Sequence, residues 1–80
     1  MSKYEPLYKY LIKSEEANVC LVFAEIEKIL VDKLPASAYV RRQWWANNKS
    51  KGRQSYAWLD AGYEVESVDF NNKTVMFRRK

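Results

Sequence analysis

The residues with the most chemical character lie together. Between Lys33 and Trp58 the chain carries Lys33, Arg41, Arg42, Lys49, Lys51 and Arg53 and no acid, a net of +6. The same stretch holds Tyr39, Trp44, Trp45, Tyr56 and Trp58, with Gln43, Asn47, Asn48 and Gln54 among them. Cations neutralise phosphates, aromatic rings stack on bases, and carboxamides pair a donor with an acceptor as a base edge does. The plain alternative is a solvated surface that lacks acids, yet such a run is uncommon in a chain that is 30% charged. Lys49, Lys51, Arg53 and Gln54 fall at or just before the start of a predicted helix, where free N–H groups attract phosphate. Lys adds point charge there, while Arg53 and Gln54 are suited to base edges. Arg41 and Arg42 repeat the signal more weakly. Lys73, at a predicted hairpin tip, and the terminal Arg78-Arg79-Lys80 suit backbone phosphates, or serve only solubility. Trp44 and Trp45 are neighbours, so their side chains diverge and cannot share one pocket. Either one packs inside while the other stacks on a base or partner, or both anchor different parts of a small core. The nucleic-acid contact set is therefore Arg41, Arg42, Trp45, Lys49, Lys51, Arg53, Gln54 and Lys73.

Other chemistries lack their residues. There is no His, which removes the commonest general base and metal ligand. The single cysteine, Cys20, leaves no internal disulfide and no tetrahedral zinc site. It sits in an apolar run and reads as an inert core thiol. Glu64, Glu66 and Asp69 hint at a metal-dependent nuclease, but no Lys completes the expected acidic-x-Lys triplet on a neighbouring strand. Glu25-Ile26-Glu27-Lys28 supplies such a triplet only on a helix. No catalytic residue, metal or cofactor is expected, and the chain does not read as an enzyme.

Outside the basic stretch the charges balance or reverse. Residues 1–32 carry four Lys and six acids, and residues 59–80 carry four charges of each sign. The total is 14 − 10 = +4 over 80 residues, a length that holds one domain, residues 1–80. The longest uncharged apolar run, Ala17–Ala24, is too short for a bilayer, and no signal peptide is evident. A cytoplasmic protein with no membrane partner is expected.

The elements that must position these groups follow from spacing. Glu5-Pro6 opens a helix with Leu7, Tyr10 and Leu11 on one face. Asn18–Phe23 reads as a buried strand and Ala24–Val31 as a helix with Ile26, Ile29 and Leu30 inward. Leu34-Pro35 ends it, and Pro35–Trp45 is ambiguous, with a helical turn at Ala36–Val40 as one reading. Gly52–Ala61 reads as a helix with Trp58 inward and Gly62 in the left-handed cap position. Tyr63–Phe70 and Lys73–Arg79 are strands around Asn71-Asn72, which suit a type I′ turn. Pairing Val68 with Val75 sets the register. One extra residue at Glu66-Ser67 then brings Val65 opposite Phe77, so a β-bulge is predicted there.

Helix, strand, helix, basic segment with a further helix, then hairpin resembles the order of a winged helix–turn–helix. Leu21-Val22-Phe23-Ala24-Glu25-Ile26 and Trp58-Leu59-Asp60-Ala61-Gly62-Tyr63-Glu64-Val65 carry the resemblance. It implies an α+β fold in which the first strand joins the hairpin as a three-stranded antiparallel sheet. The last helix would be the recognition helix and the hairpin turn the wing. Asp32–Asn48 departs from the pattern, because helices two and three are usually joined by a few residues. A closer similarity is to small bacterial and archaeal domains of unknown function. Their pattern appears as Tyr4 to Leu11, Trp44 to Asn47, Ala57 to Val65 and Val75 to Arg78.

The expected function is nucleic-acid binding, with duplex DNA favoured and a homodimer compatible with it. The alternative is a small regulatory or phage-type protein-interaction domain using Trp44, Trp45 and Tyr39 as hot spots.

Overall fold

A computed structural model describes residues 3–48 and 54–80. Helix α1, Glu5–Ile12, has Pro6 in its first turn and buries Leu7 and Leu11. Tyr10, expected on that inward face, is instead 45% exposed. Strand β1, Asn18–Val22, alternates outward and inward, with Val19 and Leu21 buried. That period of two places Cys20 outside, so the expected core thiol is an exposed one. Helix α2 begins one residue earlier than its spacing suggested, at Phe23, and runs to Leu30. Its cap residue, Val22, has no polar side chain, and the Glu25 carboxylate accepts the Val22 N–H at 3.0 Å instead.

The ambiguous stretch resolves into helix α3, Ala36–Val40, and a 3₁₀ turn, Arg42–Trp45. Pro35 precedes α3 in extended conformation, as a residue that favours the first turn and breaks the one before it. Helix α4 is only Tyr56–Leu59, much shorter than Gly52–Ala61. The bonds on either side are of i→i+3 type, Ala57 N–H to Gln54 O and Ala61 N–H to Trp58 O, so the described turns tighten rather than extend an α-helix. Gly62, at φ 90°, ends the segment. Gly52 and Arg53 lie outside the described residues.

Strands β2, Tyr63–Asp69, and β3, Thr74–Arg79, form the C-terminal hairpin. The antiparallel sheet has the order β1-β3-β2, so β1 joins the hairpin through its last strand. Val68 pairs with Val75 and Val65 with Phe77, and the register shifts between Val65 and Ser67, which is the predicted bulge. The turn differs from type I′. Positive φ falls on Lys73, at 55°, and not on Asn71 or Asn72. Asp69 explains this: its carboxylate accepts the N–H groups of Asn71 and Asn72 at 3.0 and 3.1 Å and the Asn72 side chain at 2.8 Å. Such an Asx arrangement accompanies negative φ at those two residues. The helices cover one sheet face, where Val19, Leu21, Tyr63, Val65, Val75 and Phe77 meet Leu7, Leu11, Phe23, Ile26, Trp45 and Trp58 in one core. Among the described residues no helix is long and apolar enough to cross a membrane.

Candidate nucleic-acid interface

The aromatic pair divides its roles. Trp45 is fully buried. Its ring stacks on Phe23 at 5.2 Å and on Trp58 at 5.8 Å, and its Nε1 donates to Ala38 O at 2.9 Å. With both faces covered it offers no platform to a base, so Trp45 leaves the contact set and joins the core. Trp44 is the half-buried one, with Tyr4 edge-on at 5.9 Å. One tryptophan is thus buried and one half-buried, but the two do not part as their adjacency suggested: their rings meet edge-on at 4.7 Å and both lie against Trp58, at 6.5 and 5.8 Å. Tyr39 is also engaged inside the fold. It packs edge-on against Phe23 at 5.2 Å and donates its hydroxyl to Glu27 Oε2 at 2.8 Å. The hydrogen bond to the Glu27 carboxylate, with burial second, pushes the Tyr39 phenol above its ordinary range. The other bond to Glu27 Oε2 comes from Leu34 N–H at 2.9 Å, so one carboxylate fastens α3 and its approach to α2.

The cations split in the same way. Arg41 and Arg42 follow α3 at its corner with the 3₁₀ turn, both exposed. Among the described residues neither makes an ion pair. Lys73 is exposed on the hairpin turn, and its carbonyl accepts Phe23 N–H at 2.7 Å. Phe70 of that turn lies 6.4 Å from Phe23, whose ring also meets Tyr39 and Trp45. The turn bearing Lys73 and the corner bearing Arg41 and Arg42 therefore pack around one residue. Of the cations elsewhere, Lys3 pairs with Asp32 at 3.5 Å and Arg78 with Glu64 at 3.2 Å and Glu66 at 3.8 Å, while Lys9, Lys13, Lys28, Lys33 and Lys80 form no ion pair among the described residues. Arg79 donates to Ser14 O and to the Tyr63 hydroxyl.

Lys49, Lys51 and Arg53 lie outside the described residues. Gln54, which follows them, donates its Nε2 to Trp44 O at 2.6 Å. One of its two amide N–H groups is thus committed to the fold, and the other remains with Oε1. Ser55 is buried and donates its hydroxyl to Asn48 O. These two bonds tie the start of the last helical segment to the 3₁₀ turn and to the loop that follows it. A recess of about 260 Å³ opens beside them, lined by Gln43, Ala46, Asn48, Gln54 and Ser55. Among the described residues, every polar lining side chain is an uncharged amide or hydroxyl.

Asn47 has a role that composition alone concealed. Its Oδ1 accepts Val65 N–H at 2.8 Å and Trp58 Nε1–H at 3.1 Å, and its Nδ2 donates to Val65 O at 3.0 Å. The side chain thus copies a neighbouring strand at the outer edge of β2. The fixed spacing in Trp-Trp-x-Asn was its one trace in the sequence. Among the described residues no group of three His, Cys, Asp or Glu side chains is placed to hold a metal ion.

No curated protein and no solved structure matches the chain. The model of a family described as a domain of unknown function (DUF7662) matches residues 4–80, and the chain belongs to that family.

Proposed function

We propose that the protein is a nucleic-acid-binding domain of the cytoplasm, with DNA as its first target, that grips the phosphate backbone through its central basic segment. The observation that carries the reading is the concentration of cations in one stretch without acids, residues 33–58. Arg41 and Arg42 project exposed from it, and neither forms an ion pair among the described residues. Unpaired surface cations keep their full attraction for a polyanion, since no internal partner must first be displaced. Lys73 adds a third exposed cation on a turn held against the same part of the fold. The strand order and terminal hairpin agree with a winged-helix-like plan in which that turn is the wing. Helix α4 supports the plan less well, for its four residues span only roughly 6 Å. The reading therefore rests on phosphate contacts more than on a helix laid in a groove. Fluorescence anisotropy with labelled duplex DNA, single-stranded DNA and RNA at low salt tests it. The Arg41→Ala/Arg42→Ala double variant should bind more weakly to every sequence, with a salt slope smaller by roughly two units. A parent protein that binds none of the three, or a double variant that binds as tightly as the parent, would contradict it.

A further inference from the structure

We infer that the recess between the 3₁₀ turn and the last helical segment receives one unpaired nucleobase, so that the preferred ligand is single-stranded. This rests on the nucleic-acid reading and adds to it the form of the ligand.

Three features of the recess point to a base. The first is its chemistry. Gln43, Asn48, Gln54 and Ser55 bring amides and a hydroxyl to a space of about 260 Å³ with no charged side chain among them. Among the described residues a charged ligand would find no counter-charge there, whereas a base edge is a neutral row of donors and acceptors that a carboxamide can match in pairs. The second is preorganisation. The bond from Gln54 Nε2 to Trp44 O fixes the amide and leaves Oε1 and the second N–H, and the bond from the Ser55 hydroxyl to Asn48 O holds those two lining residues together. Gln43 is exposed and makes no side-chain hydrogen bond among the described residues, so both ends of its amide are available. The third is the setting. Arg41 and Arg42 directly precede Gln43 in the chain and are unpaired. A neutral hydrogen-bonding recess beside free cations matches the two halves of a nucleotide, base and phosphate.

Strandedness follows from shape. A base inside a duplex shows only its edge, while a recess admits a base that has left the stack. The one element suited to reading edges in a groove would be α4, and it has a single turn.

The test uses the full chain with labelled 12-nucleotide single strands of DNA and of RNA, and a DNA hairpin duplex, at one salt concentration. The parent should bind a single strand more tightly than the duplex, and the DNA and RNA arms show which sugar it accepts. Gln43→Ala removes a side chain that the fold does not use. It should lower single-strand affinity about tenfold while leaving the salt slope, duplex affinity and thermal midpoint unchanged. Gln43→Glu, which places a charge in the recess, should lower it at least as much. If Gln43→Ala binds single strands as the parent does, or if the parent favours the duplex, the recess is not a base site although nucleic-acid binding stands. If the parent binds no nucleic acid, both readings fall.

Discussion

Val31 sits at φ 54° and ψ 39°, just past the end of α2, with 88% of its surface exposed. A β-branched side chain in the left-handed region is crowded against its own backbone, and glycine is the usual occupant of such a cap. Val31→Gly should therefore raise stability by about 1 kcal/mol, because strain is relieved and almost no buried surface is lost. Urea unfolding measures this, and a destabilised variant would contradict it. The tryptophan pair shows what single residues disclose from sequence. Adjacency alone suggested that they diverge, yet their rings meet edge-on at 4.7 Å and share Trp58 as a neighbour. Which one entered the core depended on the phase of the 3₁₀ turn, and that phase is set by tertiary contacts with Phe23 and Trp58 rather than by neighbours in the chain. Cys20 was misread for the opposite reason: its apolar neighbours suggested a strand buried on both faces, but helices cover only one face of this sheet.

The hairpin was legible as an element, because Val65, Val68, Val75 and Phe77 can face one side together only if an extra residue intervenes. Its turn was not, since Asp69 closes it by side-chain bonds that a two-residue template ignores. Those bonds, first that from Asn72 N–H, hold the Asp69 carboxyl below its ordinary value of 3.8. A depressed folded-state value stabilises above the unfolded one, and the contribution disappears as pH falls through the folded value. Asp69→Ala should thus lower the thermal midpoint at pH 6, and the two proteins should converge as pH drops below about 3.8. A constant gap across that window would assign the turn's stability to something other than this charge. At the other margin of β2, Asn47 occupies both backbone groups of Val65. Asn47→Ala leaves these and the indole N–H of Trp58 without their partner and should cost about 2 kcal/mol. Asn47→Asp retains both accepting contacts and should cost less. Equal losses in urea unfolding would show that the Nδ2 bond to Val65 O is the main contribution. The bonds also occupy an otherwise open sheet edge, which discourages pairing with another chain.

Across the whole molecule, the excess positive charge resides in residues 33–58, and this was plain from counting. The division between matched and unmatched cations was not, because pairs such as Arg78 with Glu64 depend on strand register. The length of the last helix was hidden too, since the i→i+3 bonds around α4 accompany the tying of Gln54 to the 3₁₀ turn and of Ser55 to Asn48. If the basic segment grips a polyanion, each phosphate contact releases counterions and the affinity must fall with salt. Lys49 and Lys51 belong to that segment by sequence, and replacing both with Ala should reduce the slope by roughly two units without changing sequence preference. The most direct measurement is the affinity of the unmodified protein for single-stranded and duplex DNA across a salt series. The account predicts a linear fall of log affinity with log salt, at about −0.7 per phosphate neutralised for a single strand and about −0.9 for a duplex. A flat dependence, or no binding at the lowest salt, would contradict it.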